Sequence, residues 1–373
     1  MLSIKEVKTR RDLKKFVVFP NRMYRDNPYF VPELVMDDLH TLSKKKNPAF
    51  AFSEGTYYMA YDGKKPVGRI GILVNHRSNE KWNQKQARFT HLDFIDDRAV
   101  SALLLGTAEN WARSHGYDSL HGPMGLTDMD HQGMLIEGFE ENDLYITLYN
   151  HAYYPEHMES LGYKKDVDYI EYQLFVPDKP LEVVSRIAQR VIRRFNYRLV
   201  EFTHKKEILP WAQKIFNLYN DAYSKLYGTS ALTQEQIDMY IKANFGFVNP
   251  DFIKLVVDKD DQVIGFGITM PSISKALRKA RGRLFPFGFI HILKAIRKND
   301  TVDMYLVAIH PDHQGTGAIA ILLDSLTKSA NRYGITLAET GPELETNLQV
   351  QAQWKFYKTR QHRRRRIYLK NLS

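Results

Sequence analysis

The stretch Val307-Ala308-Ile309-His310-Pro311-Asp312-His313-Gln314-Gly315-Thr316-Gly317-Ala318-Ile319-Ala320-Ile321-Leu322-Leu323 decides the fold. Its apolar start predicts a strand over Met304–Ile309. Pro311 and two glycines then form a turn, and the turn opens a long apolar helix that reaches Tyr333 and stops at Gly334. Glycine permits left-handed backbone and close approach of a ligand. The following helix adds a partial positive charge at its start. Together these features make a cradle for a pyrophosphate. Two familiar phosphate loops are excluded. No Lys follows the turn as a P-loop requires, and the third glycine of a dinucleotide fingerprint is missing.

Upstream, the chain repeats itself weakly. Tyr57–Tyr61, a polar turn and Val67–Ile72 form one hairpin pattern; Phe252–Val257, a polar turn and Val263–Ile268 form another. Ala112–Gly116 leading to Gly122-Pro123 is echoed by Ala330–Gly334 leading to Gly341-Pro342. A long-period echo of this kind points to duplicated domains rather than a solenoid. The second echo is delayed, which locates an insertion at Lys275–Asn299, basic and aromatic and broken by Pro286. The join falls near Val176–Pro180, ahead of an amphipathic helix over Leu181–Phe195. The expected division is therefore 1–177 and 178–373.

On Gln314 and Gly317, set after a strand and a proline, the segment Asp303–Leu323 resembles the acetyl-CoA-binding segment of the GCN5-related N-acetyltransferase (GNAT) superfamily. The resemblance implies an α/β fold of two tandem domains, each a mixed, mostly antiparallel sheet flanked by helices. It also implies acetyl-CoA or another acyl-CoA as co-substrate. Backbone amides of Gln314, Gly315, Thr316, Gly317, Ala318 and Ile319 would hold its pyrophosphate, and Val307 and Ile309 its pantetheine arm. Ile319 stands where the family usually has Gly or Ala. The whole chain is similar to bacterial tandem acetyltransferase-like proteins through Phe19-Pro20, Tyr24–Pro28, Val67–Ile70, Gly138-Phe139, Tyr149-Asn150, Leu344–Asn347 and Arg363–Tyr368.

Acyl transfer to an amine needs a base for the ammonium, amide donors for the carbonyl and an acid for the thiolate. Glu339, Glu343 and Glu345 follow the strand expected at Ile335–Ala338, and Glu345 is selected as base. Family members often place a Tyr about seven residues after an Asn as the acid. Counting from Asn347 gives Trp354, so Tyr357, one turn on, is the substitute. Asn220 and Tyr223, on a helix expected over Leu209–Leu226, are assigned with Asn347 to the acceptor side. The first half has Leu92–Ser101, without a glycine, in place of the cradle, with Asp96 and Asp97 suited to capping a helix rather than holding an anion. It reads as a degenerate copy.

No metal is expected. Asp128, Asp130 and Gly133 have the spacing of an EF-hand start, but the twelfth place is Phe139. His310 and His313 lack further ligands. The absence of cysteine excludes disulfides, thiolate metal sites and a cysteine nucleophile. There is no apolar run long enough for a membrane span and no secretory pattern at Met1–Phe16, so a cytoplasmic protein is expected. The net charge of +10 gathers at Arg278–Arg283, Lys294–Lys298 and Arg363–Arg366. The last run reads as the start of a solvated edge strand or as an anion patch. The expected activity is N-acyl transfer to a small-molecule amine or a peptide. A non-catalytic acyl-CoA sensor and an aminoacyl-tRNA-dependent transferase are the alternatives.

Overall fold

The computed structural model describes residues 1–223, 225–246 and 248–372. In chain order its strands are β1 (Leu2–Glu6), β2 (Ser53–Asp62), β3 (Lys65–Asn75), β4 (Gln86–Phe94), β5 (Ser119–Gly122), β6 (Met134–Glu137), β7 (Lys164–Phe175), β8 (Arg198–Val200), β9 (Ile253–Val257), β10 (Val263–Pro271), β11 (Thr301–Ile309), β12 (Leu337–Thr340), β13 (Glu343–Leu344) and β14 (Lys358–Asn371). The helices used below are α1 (Arg98–Ser114), α2 (Glu182–Phe195), α3 (Leu209–Tyr223), α4 (Gly288–Arg297) and α5 (Ile319–Tyr333). Both hairpins, the helix after the join and the helix after the glycine turn form as the sequence predicts, each within a few residues of its expected ends.

The chain divides into two compact units: Met1–Ile170 with Ser274–His291 and His362–Ser373, and Glu171–Ile273 with Ile292–Gln361. This corrects the simple cut at residue 177. Sheet pairing is the reason. Tyr368–Asn371 of β14 pair with β5, so the end of the chain completes the first unit. Gln173–Phe175 of β7 pair with β12, so a segment from the first half completes the second. The insertion also divides. Ser274–His291 is held to the first unit by Val35 N–H donating to the Gly282 carbonyl, Tyr145 N–H to the Ser274 hydroxyl, and Arg278 to Asn142.

Within each unit the same plan recurs. In the first, β2, β3 and β4 are antiparallel neighbours and β4 runs parallel to β5, with α1 as the crossover. In the second, β9, β10 and β11 are antiparallel and β11 runs parallel to β12, with α5 as the crossover. The first core gathers Ile70, Ile72, Phe89, Phe94, Leu104 and Tyr154. The second gathers Val184, Val191, Val256, Ile321, Leu322 and Trp354.

The arginine run is neither a solvated edge nor an anion patch. Arg363 and Arg365 are only 1% and 0% exposed. Arg363 donates to the Asn142 carbonyl, and Arg365 donates to the Leu148 carbonyl and pairs with Asp143 at 3.1 Å. Arg364 and Arg366, on the other face, share the buried Asp168. Strand alternation sends neighbouring arginines to opposite faces, and both faces are covered. Asp143→Ala leaves the Arg365 cation buried without its counter-ion, which should cost about 3–5 kcal/mol. Removing the exposed Arg198–Asp261 pair should barely move the unfolding midpoint. Urea denaturation of both variants checks the contrast, and equal midpoints would contradict it.

Candidate functional site

Strand β11 is the centre of the second unit's site. Its parallel ladder with β12 runs from Thr301–Leu337 to Met304–Thr340 and stops there. Its antiparallel ladder with β10 continues to Ile309 but is interrupted at Tyr305, which has no opposite residue. Such a bulge bends a strand and raises its local twist. Residues 306–309 therefore keep β10 on one side, and among the described residues no strand pairs with their other edge.

The pairing parity identifies the groups on that open edge. His310 N–H donates to the Ile264 carbonyl at 2.8 Å. Alternate residues bond the same neighbour, so Val307 and Ile309 turn their amides away from β10. Two side chains confirm the direction: the Tyr223 hydroxyl donates to the Val307 carbonyl at 3.2 Å, and Gln314 Nε2 donates to the Ile309 carbonyl at 3.3 Å. The acceptor-side Tyr223 and the open strand thus meet.

The strand then enters the turn. Gly315 and Gly317 have φ of +75° and +89°, a conformation costly for other residues. A Cβ on Gly317 would lie 3.1 Å from Val191 of α2, whereas one on Gly315 would point into open space. Thr316 fixes the turn by donating to the His313 carbonyl and accepting from Ala318 N–H. Helix α5 begins after Ala318, which as N-cap offers no capping side chain of its own, so the partial positive charge of the first turn is not offset by an N-cap oxygen. Ile319 packs against the second core, so its bulk is directed inward. Open amides, left-handed glycines and an uncapped helix start together fit a pyrophosphate followed by an extended amide-bearing arm.

The acid–base candidates separate. Glu343 lies just past the end of β12; its Oε1 accepts the Trp354 indole N–H at 3.0 Å, and its Oε2 is buried with no hydrogen-bond partner among the described residues. Burial pushes its carboxyl up to about 7, against the lowering effect of the Trp354 donor and the nearby Thr340 hydroxyl. Trp354, at the position counted from Asn347, is 3% exposed and so orients Glu343 instead of facing solvent. Tyr357 packs on the second core with its hydroxyl 3.4 Å from Thr327 Oγ1, and burial raises its phenol above the usual range. Glu345 is half-buried, and its carbonyl accepts from Gln351. Asn347 caps a short helix by accepting from Val350 N–H. Asn220 bonds both the N–H and the C=O of Leu232. These two asparagines are thus committed to local structure.

The first unit contains a feature that no spacing in the sequence marks. About 630 Å³ of empty space, its mouth included, is lined by Tyr24, Glu33, Asp38, Arg69, His91 and Asp93 among others. The parallel ladder of β4 with β5 ends at Arg88–His121, and His91, at φ +46°, lies in a bulge opposite Ile70. Ion pairs fill the opening: His91–Asp38 at 3.0 Å, His131–Glu33 at 3.0 Å and Arg69–Asp93 at 2.6 Å. Glu33, Asp38 and His91 offer ligand atoms within 4.8 Å of one another, and both carboxylates also hydrogen-bond histidines, Asp38 to His91 and Glu33 to His131. Beyond β4, Asp97 caps α1 and Asp96 pairs with His157. Asp130 accepts the amides of Leu126 and Thr127 and so locks that turn.

This network gives a pH signature. Burial alone would raise Glu33, but His131, His91 and Arg69 hold it well below the usual carboxylate range. Burial would lower His131, but Glu33 holds it above the usual imidazole range. The pair therefore stabilises fully between about pH 4.3 and 6.5. Its contribution is lost as acid protonates Glu33, and again as rising pH removes the His131 proton. Glu33→Gln should lower the melting temperature near pH 6 and flatten the decline that begins above about pH 6.5. Melting curves across pH check this, and parallel wild-type and variant profiles would contradict it.

Comparison with known proteins agrees with the geometry. Residues 212–361 match the acetyltransferase (GNAT) family model. The chain is 25% identical to protein YghO of Escherichia coli strain K12, over 97% of this chain and 94% of that protein. It is also 25% identical to a bacterial ceramide synthase of Caulobacter vibrioides, over 78% of this chain and 76% of that one. In structure it is similar to a tandem GNAT protein from the clavulanic acid biosynthesis pathway, with a TM-score of 0.57 and 12% identity, covering 100% of this chain and 99% of that one. No helix among the described residues is long and apolar enough to cross a membrane. Residues 212–361 therefore match the GNAT family model, and the chain as a whole is similar in fold to a tandem GNAT protein.

Proposed function

We propose that the second unit transfers the acyl group of an acyl-CoA to an amine by direct attack. The observation that carries this reading is the open edge at Val307 and Ile309, followed after the short Pro311–His313 turn by the left-handed glycines at the start of α5. When bound, acyl-CoA supplies the acyl group as a thioester. In this reading the amides of Gly315, Thr316, Gly317 and Ile319 take the pyrophosphate, since Gln314 and Ala318 N–H already donate to the Pro311 carbonyl and Thr316 Oγ1, and those of Val307 and Ile309 take the pantetheine arm. Tyr223 is a positioning residue, since its hydroxyl fixes the Val307 carbonyl.

Glu343 replaces Glu345 as the proposed base, with Trp354 holding it. A carboxyl near 7 with one unpartnered oxygen can accept the ammonium proton at neutral pH. Tyr357 remains the proposed donor to the leaving sulfur, since burial keeps its phenol protonated. A long-chain amine is the first acceptor to screen, because a ceramide synthase is among the relatives. The tRNA-dependent alternative loses support because Arg363 and Arg365 are buried.

Thermal shift with acetyl-CoA and long-chain acyl-CoA tests the cradle. A ligand that binds only the folded state raises the melting temperature as its concentration passes Kd. Gly315→Glu sends a carboxylate into open space beside the turn and should abolish the shift, with the left-handed backbone costing about 1–2 kcal/mol that the unliganded melting temperature reads separately. Absence of any shift in wild type at millimolar ligand would overturn the reading.

Kinetics test the base. Wild-type kcat/KM should rise with pH through about 7, because the carboxylate form is the active one. Glu343→Gln should lower it by roughly 10²–10⁴-fold and remove that limb. An unchanged profile would return the role to Glu345.

A further inference from the structure

The charge and apolarity of the insertion remain unused by the acyl-transfer site. From Gln262 to Asn299 the chain has no Asp or Glu, yet Lys275–Lys298 carries eight Lys and Arg residues. The same segment holds the densest exposed apolar group among the described residues. Phe285 is 70% exposed, Phe287 68%, Phe289 40%, Ile290 50% and Leu293 50%. Large side chains of this kind are normally covered, and a contiguous exposed group of them marks an interaction surface.

The local structure explains why they face out. Gly288 and Ile292 make the inward side of α4, with Ala295 and Ile296 partly covered. Phe289, Ile290 and Leu293 lie on the opposite face, and Lys294 and Arg297 continue it. The turn ahead of α4 adds Phe285 and Phe287 at its tip. Lys279, Arg281 and Arg283 are exposed just before it. The Gly282–Val35, Ser274–Tyr145 and Arg278–Asn142 hydrogen bonds anchor the base of the segment, so the apolar tip is presented from a fixed support.

We propose that Phe285–Leu293 docks on the surface of an anionic phospholipid bilayer, with the aromatic and aliphatic side chains entering the headgroup boundary and Lys279, Arg281, Arg283, Lys294 and Arg297 contacting lipid phosphates. Charge complementarity selects this occupant. A protein partner with an apolar knob would not need a basic, acid-free rim, and a free anion would not need five exposed apolar side chains. Interfacial helices have this composition, with an apolar face bordered by Lys and Arg. Each basic residue near an anionic surface is worth about a fivefold gain in partition. The placement is peripheral, since no described helix spans a membrane. It is independent of the acyl-CoA reading and would stand if the second unit bound no acyl-CoA.

Vesicle sedimentation of the full chain tests it, using phosphatidylcholine alone and phosphatidylcholine with phosphatidylglycerol. Binding is expected to the anionic vesicles only and to weaken with salt. Phe285→Ser with Phe287→Ser should reduce it more than tenfold. Lys279→Glu, Arg283→Glu and Lys294→Glu together should abolish it. All these side chains are exposed, so unchanged melting temperatures are expected and serve as the folding control. Failure to bind anionic vesicles would overturn the proposal, as would equal binding to neutral ones or wild-type binding by either variant. A concentration-dependent doubling of mass that the Phe substitutions abolish, without vesicle binding, would assign the patch to self-association and likewise overturn it.

Discussion

The organisation of the second unit depends on one interruption of hydrogen bonding. A strand with a neighbour on each side has both edges satisfied, and burying an unpaired edge is costly. Here β11 leaves β12 after Met304–Thr340, at the Tyr305 bulge. The amides of Val307 and Ile309 are thereby released toward one side, while β10 keeps the strand straight enough to deliver the chain into the glycine turn. The open edge supplies donors in a row at strand spacing, and α5 supplies the terminus. Neither is useful alone: a helix start without the arm-binding edge holds any anion, and an open edge without the turn is only an unpaired strand.

The first unit has the same interruption with the opposite outcome. Its β4 leaves β5 after Arg88 and bulges at His91. The following turn lacks glycine, however, and Asp97 occupies the helix cap that an anion would need. The opening is instead occupied by Glu33–His131, Asp38–His91 and Arg69–Asp93. Buried charges of this kind are tolerated only when paired, and breaking a pair costs more than forming it gains. The duplicated frame thus carries two chemistries, one set by backbone amides and the other by side-chain charge.

This contrast shows what was legible in the sequence. The glycine turn, both hairpins and the helices after them follow local rules, so Gly315, Gly317 and Gly334 could be placed from composition and spacing alone. The Tyr305 bulge is a register event between strands and leaves no mark in a single segment. The first-unit network joins residues from position 33 to position 131 with no periodicity to connect them. The exchange of β7 and β14 segments between units depends on which edges remain unpaired, a property of the folded sheets. Glu343 was visible among three glutamates, but only the Trp354 indole and its buried Oε2 separate it from Glu345.

The basic surplus sorts in the same way. Arg363–Arg366 and Lys275–Lys298 look alike as runs, yet strand alternation buries the first against Asp143 and Asp168 and leaves the second at the surface. A run of arginines in a two-sided strand must find carboxylates and carbonyls, because each side chain is taken from water. A run bracketing an apolar helix keeps its heads in water and lends its charge to the surroundings. The chain's net charge of +10 therefore understates how unevenly that charge is available. The part that remains available borders the exposed apolar side chains of α4, and the part that is buried holds the last strand in the first unit's sheet.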